Sequence, residues 1–167
     1  LCAIYSWMRR ADDLADEEMP GFGIEDRRTA LEDFRERTRM VFAGDLPDGC
    51  PEVEEHIWIS LSSVVGRHDL DPSDFESMVD GQVADLEPRN IRDLGELLQY
   101  CDQVASTVGR TCVRVWGGST DEALELAGER GVAFQITNIL RDVREDHGRG
   151  RSYLPRELLS SHRMDGP

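Results

Sequence analysis

The sequence predicts an all-α fold, on three observations. Apolar residues recur at three- and four-residue steps along nearly the whole chain, as helices with a buried face require. No stretch sustains the two-residue alternation of a half-buried strand. Proline and glycine fall between the periodic segments, where chain corners belong. The 167 residues suit one compact domain, and 39% hydrophobic content is enough for a core of ordinary size. Leu1 opens directly into the pattern Ile4, Trp7, Met8 and Ala11, and the chain stops at Asp165-Gly166-Pro167. It therefore reads as a single helical domain over 1–167, incomplete at both ends.

A first helix is expected from before Leu1 to about Glu18, ended by Met19-Pro20-Gly21. A second covers roughly Glu25 to Phe42 and stops at Ala43-Gly44-Asp45. The third starts after Pro51 and carries Val53, Ile57, Leu61, Val64 and Val65. Asp71-Pro72 is an N-cap followed by a first-turn proline, which opens a fourth helix reaching about Leu86. After Glu87-Pro88 a fifth runs from about Leu94 to Trp116. The Gly117-Gly118-Ser119-Thr120 break then leads to a sixth lasting to about Asp146, and His147 to Pro155 reads as a loop.

Lys plus Arg total 19 against 34 Asp plus Glu, a formal net charge of -15, which repels nucleic acid and anionic headgroups at long range. Nucleic-acid binding is disfavoured. Cys2, Cys50, Cys101 and Cys112 form no C-x-x-C pair, and no cleavable leader or membrane-spanning apolar run is visible, so a reducing, cytoplasmic setting is expected. The cysteines read as small packing residues.

Two acidic clusters stand out. Asp12, Asp13 and Asp16 lie within about one helical turn, with Asp12 and Asp16 on one face. Tyr5 and Arg9 extend that face. Ile4, Trp7, Met8, Ala11, Leu14 and Ala15 form the neighbouring apolar stripe, so the acids border a core. On the last helix Gln135, Asn138, Asp142 and Asp146 follow at three- and four-residue steps, with Glu145 beside them. Val132, Ile136, Ile139, Leu140 and Val143 run alongside that ridge, either as the lining of a hydrocarbon-holding cavity or as a packing face.

Each cluster ends its helix, where the macrodipole is already negative. Like charges four apart cost a further ~0.2 to 0.5 kcal/mol per pair. Local pairing of Arg9 or Arg10 with Asp13, and of Arg141 with Glu145, is one compensation. In both pairs the base precedes the acid, the weaker orientation, and the bases are too few. One isolated acidic turn reads as a solvated face; two matched turns point to divalent cations. Magnesium suits them, because it takes carboxylate oxygens while keeping positions for water and phosphate. An EF-hand calcium site would need a looped ligand array with a central glycine. Carboxylate turns facing each other across a bundle would hold cations that bind a diphosphate and assist its departure, inside a dry pocket that protects the carbocation left behind.

Arg9-Arg10-Ala11-Asp12-Asp13-Leu14-Ala15-Asp16-Glu17 and Asn138-Ile139-Leu140-Arg141-Asp142-Val143-Arg144-Glu145-Asp146 resemble the two aspartate-rich signatures of squalene and phytoene synthases. The second continues into Arg149-Gly150-Arg151-Ser152-Tyr153-Leu154-Pro155, which resembles the family's basic, tyrosine-containing flap. Asp80-Gly81-Gln82 through Asp85-Leu86, and Tyr100-Cys101 through Gly109, resemble two further family blocks.

The resemblance implies an isoprenoid synthase-type helical bundle around a central cavity, and a catalytic domain that joins two farnesyl or two geranylgeranyl diphosphates head to head. Asp12, Asp16, Asp142 and Asp146 would then hold magnesium, or manganese in its place, with Asp13, Asn138 and Glu145 assisting. Arg9, Arg141 and Arg151 would contact diphosphate. Tyr5, Tyr100, Tyr153, Gln135 and Asp85 would line the pocket, with tyrosines such as Tyr100 stabilising cationic intermediates. NADPH would be needed only by a squalene-forming member. A hydrocarbon product implies a peripheral encounter with a membrane, on its inner face for a cytoplasmic enzyme. The alternatives are a squalene or hydroxysqualene synthase of the same family, or a non-catalytic family-like interaction protein.

Overall fold

The computed structural model describes residues 1–16 and 23–163. Its helices are α1 (Cys2–Asp16), α2 (Ile24–Ala43), α3 (Glu52–Val65), α4 (Pro72–Ala84), α5 (Leu94–Cys101), α6 (Thr107–Val115), α7 (Asp121–Gly148) and α8 (Arg156–Ser161). A π-helical segment, Asp102–Ser106, joins α5 to α6. No strand forms among the described residues, and an isolated bridge pairs Asn90 with Ser152. None of the described helices is long and apolar enough to cross a membrane. The expected end of the first helix at Met19-Pro20-Gly21 lies outside the described residues.

Helices α1 to α4 share one core. Trp7 of α1 is fully buried against Phe34 of α2 and Phe75 of α4, with ring centroids 5.3 and 4.8 Å away, and Phe34 meets Trp58 of α3 at 4.8 Å. Such pairs add about 0.5 to 1.5 kcal/mol each beyond the area they bury. The Trp7 indole N–H donates to Thr38 Oγ1 at 3.0 Å, so the polar edge of the ring is satisfied as well. Ion pairs tie the same helices at their rims: Arg10 of α1 to the buried Glu54 of α3 at 2.9 Å, and Arg35 of α2 to Asp80 of α4 at 2.7 Å. Together these contacts fix α1 and α4, whose C-terminal ends are among those that reach the cleft.

A second core joins Ile91, Leu97, Tyr100 and Cys101 to Ile139 of α7 and to Tyr153 beyond it. The aliphatic strip beside the second acidic cluster splits here. Val132, Ile136 and Ile139 pack into this core, whereas Leu140 is exposed. Its packing reading therefore holds for most of the strip.

Local signals act where they were expected. Asp71 accepts the backbone N–H of Ser73 at 2.9 Å with Pro72 in the first turn of α4. Gly44, at φ 95°, ends α2 in the left-handed conformation.

The continuous fifth helix is corrected: the π segment interrupts it where α7 approaches. Gly131 of α7 lies against the backbone of Ala105 and Ser106, and the Ser106 hydroxyl donates to the Gly128 carbonyl at 2.8 Å. The loop expected from His147 to Pro155 starts two residues later, since α7 continues to Gly148, and ends where expected, before α8 at Arg156.

A Cβ at Gly131 would come within 2.6 Å of backbone atoms of both Ala105 and Ser106. Gly131→Ala should cost about 1 to 3 kcal/mol of stability by overpacking, more than the ~1 kcal/mol that alanine's helix preference returns. A lowered urea midpoint is expected; an unchanged or raised one contradicts the close approach.

Candidate active site

Five parts of the fold meet at a cleft of about 200 Å³. Asp16 enters from the end of α1, Gln82 and Asp85 from the end of α4, and Tyr100 from α5. Gln135, Asn138, Asp142 and Asp146 enter from α7, and Arg151 and Tyr153 from the segment after it. The first acidic cluster thus reaches this space through Asp16 and the second through Asp142 and Asp146; Asp13 stands outside the lining, and so does Asp12, which adjoins it through Gln82. The segment after α7 is held by backbone bonds to the α4–α5 linker: Ser152 N–H donates to the Arg89 carbonyl at 2.8 Å, and Ile91 N–H to the Ser152 carbonyl at 3.2 Å. That bridge fixes Arg151 and Tyr153 on either side of it.

The negative charge in the cleft is poorly compensated. Burial pushes the Asp12 carboxyl up to about 6; Arg9 opposes the rise, neighbouring Asp16 and Asp13 add to it, and the Gln82 amide that donates to Asp12 lowers it. Burial also raises Asp146, and the charge of Asp142 reinforces it. Asp142 is held below the usual carboxylate range by Arg141, which grips both its oxygens at 2.7 and 2.6 Å. The helix ends at this cleft add their own negative potential.

Tyr100 and Tyr153 are buried and stacked, 4.9 Å apart at 19°. The Tyr100 hydroxyl donates to Asp85 at 3.0 Å, while Arg89 lies over the Tyr100 ring at 4.5 Å and 3.7 Å from Asp85. Burial and the nearby Asp85 carboxylate lift Tyr100 well above the usual phenol range and push Tyr153 up to about 12, so both hydroxyls stay protonated. Asp85 is raised by burial, against the pull of Arg89 and the Tyr100 hydrogen bond. It also closes α4 as its C-cap, so one residue serves both roles.

Several predicted residues stand outside this lining. Tyr5 is 69% exposed on α1. Arg9 pairs with Asp13 at 2.8 Å, as local pairing anticipates. Arg141 pairs with Asp142 instead of Glu145, and Glu145 pairs with Arg149 at 2.9 Å. Among the described residues no three carboxylate, imidazole or thiol groups converge to hold a cation unaided. The donor set still suits magnesium, which binds through one or two carboxylates plus water and phosphate oxygens.

An apolar groove of about 690 Å³ runs between α6 and α7, lined by Val104, Val108, Trp116, Leu126 and Phe134 among others. Gln135 and Asn138 border both the groove and the acidic cleft.

The family model for squalene/phytoene synthase matches residues 1–166. The chain belongs to this family. Among squalene/phytoene synthase relatives, it is 36% identical to the 15-cis-phytoene synthase of a Paracoccus species, over 98% of this chain and 54% of that protein. It is 40% identical to the presqualene diphosphate synthase of Sinorhizobium fredii, over 93% of this chain and 52% of that protein. The squalene synthase HpnC from Alicyclobacillus acidocaldarius superposes with a TM-score of 0.83 at 26% identity, over 95% of this chain and 56% of that one. A dehydrosqualene synthase solved with a ligand gives 0.80 at 28% identity, over 98% and 53%. The chain spans about half the length of the curated relatives it matches.

Sequence reasoning assigned no role to Gln82, to Arg89 or to the groove residues Trp116, Leu126 and Phe134. Gln82 follows a motif glycine and sits one turn from Asp85 on α4, a spacing that could have flagged it. No local signal singles out Arg89, whose partners come from other elements.

Asp12 also sets a pH dependence. Folding raises its carboxyl from 3.8 to about 6, so the folded state binds this proton more tightly than the unfolded chain. Stability should fall as pH rises between about 4 and 6, and the loss should persist above that range. In metal-free buffer Asp12→Asn should therefore resist urea better than the parent at neutral pH, with the advantage fading towards pH ~4. Equal midpoints throughout that range contradict a strained carboxylate.

Proposed function

We propose that this chain forms part of a magnesium-dependent enzyme that condenses two prenyl diphosphates head to head, with loss of diphosphate. The observation carrying this reading is that acids from α1 and α7 border one cleft whose wall continues into an apolar groove. Membership of the squalene/phytoene synthase family supports it, as do relatives named for phytoene and presqualene diphosphate synthesis. The substrates are two farnesyl or two geranylgeranyl diphosphates; NADPH enters only where the product is squalene.

Asp12 and Asp16 on one side, and Asp142 and Asp146 on the other, would hold the cations, with Asn138 beside them. Bound magnesium supplies Lewis-acid neutralisation of the diphosphate oxygens as the carbon–oxygen bond breaks. Arg151, 3.8 Å from Asp16, adds a guanidinium fork for the same oxygens.

The groove takes the hydrocarbon tails and keeps water from the allylic cation formed on the substrate. Tyr153 offers its outer ring face and protonated hydroxyl to that charge, and Tyr100, stacked on it beneath Arg89 and tied to Asp85, holds it in place. Gln135 and Asn138 stand at the junction, where the diphosphate head meets the tail.

With full-length protein, mass spectrometry after incubation with each prenyl diphosphate and magnesium should detect one head-to-head product, and chelator should abolish it. Asp142→Asn should lower turnover at least ~100-fold while leaving circular dichroism unchanged. Undiminished turnover in either the variant or the chelated enzyme rejects the metal role.

A further inference from the structure

The chain has no lysine, and three of its arginines open onto one cavity of about 660 Å³ next to the acidic cleft. Arg27 reaches it from α2, and Arg149 and Arg151 from the segment after α7. Arg27 Nη1 donates to the Ala15 carbonyl at 2.8 Å, which holds the guanidinium against the end of α1. Its Nε is buried without an acceptor. Arg151 donates to the Asp85 carbonyl at 3.1 Å, and Arg149 pairs with Glu145 at 2.9 Å while remaining 58% exposed. Two acids belong to the described lining: Asp16, and Glu87, which Arg28 neutralises at 2.9 Å. A guanidinium carries five N–H donors, so these contacts leave donors to spare on all three arginines.

We propose that this cavity is a receiving site for inorganic diphosphate leaving the acidic cleft. The inference rests on the reading of that cleft as the place where prenyl diphosphates ionise. The two spaces share Asp16 and Arg151, so an anion released at the carboxylate turns lies beside the arginine trio. Guanidinium forks match phosphate oxygens in pairs, which a point charge does not. Leu86 and Pro88 are the apolar residues of the described lining, whereas the apolar groove, with its continuous aliphatic and aromatic wall, leaves the cleft by way of Gln135 and Asn138. The cavity therefore suits the free anion over the head of an intact substrate.

Titration calorimetry on the full-length protein tests this at low ionic strength with chelator present. Without divalent cations the carboxylate cleft repels diphosphate, so binding reports the arginine cavity. Inorganic diphosphate should bind the parent and bind Arg27→Gln about 10-fold more weakly, the loss expected for one charge-assisted contact. A non-hydrolysable farnesyl diphosphate analogue, titrated with magnesium, should bind parent and variant alike.

Arg149→Gln, at an exposed position, should weaken the inorganic anion in the same direction and covers the case where Arg27→Gln unfolds. Unchanged inorganic diphosphate affinity in the folded variants, or an equal loss for the analogue, overturns the proposal. Intact prenyl turnover with arginine-independent binding sinks this site alone. Absent turnover with arginine-dependent binding sinks the reading of the cleft and leaves the anion site standing.

Discussion

The structure depends on bringing carboxylates of two distant helices to one space that offers them little positive charge. Asp16 and Asp146 come from segments more than a hundred residues apart, yet both line the same cleft. Their mutual repulsion, the negative helix ends and partial burial all act against this arrangement. It persists because packing elsewhere leaves α1 no freedom. The Trp7 ring is locked among α2 and α4 aromatics and hydrogen-bonded to Thr38, and Arg10 is held by Glu54 of α3. On the other side, the approach of Gly131 to the π segment and the Asn90–Ser152 bridge fix α7 and the segment after it. The strain surfaces in Asp12, whose carboxyl is pushed up to about 6 by burial and by its neighbours. A site that is electrostatically unfavourable when empty is predisposed to take up cations.

Helix positions and the acidic clusters were legible in the sequence because they follow from local periodicity. Observed α2, Ile24–Ala43, lies within a residue of its expected span at each end, and Asp71-Pro72 opens α4 as its capping chemistry requires. What escaped depends on which elements meet. The π segment at Asp102–Ser106 answers a close approach by Gly131 of α7, 25 residues beyond Ser106. Arg141 chose Asp142 over Glu145, a choice of rotamer that i, i+4 bookkeeping does not contain. The aliphatic strip at Val132, Ile136 and Ile139 and the groove face at Leu126, Phe134 and Gln135 lie on different sides of α7, and periodicity alone does not say which side faces empty space.

The site divides its chemistry by surface type. An acidic cleft, an apolar groove and an arginine-lined cavity adjoin one another, with Gln135 and Asn138 at one junction and Asp16 and Arg151 at the other. Such a layout matches a substrate with a polyanionic head and a hydrocarbon tail, because each part meets a wall of its own kind. Tyr100 and Tyr153 line the acidic cleft, stacked on each other, with Tyr100 tied to Asp85 and lying beneath Arg89. Their rigidity suits groups that must meet a transient charge without reorganising.

The central claim is that α1 and α7 build one cation site between them. The direct measurement is the rise in thermal midpoint on adding magnesium, compared across the full-length parent, Asp16→Asn, Asp146→Asn and the double variant. The account predicts that either single change removes most of the magnesium-dependent rise and that the double change removes little more. Losses that simply add, each helix keeping its own share of the stabilisation, would contradict it.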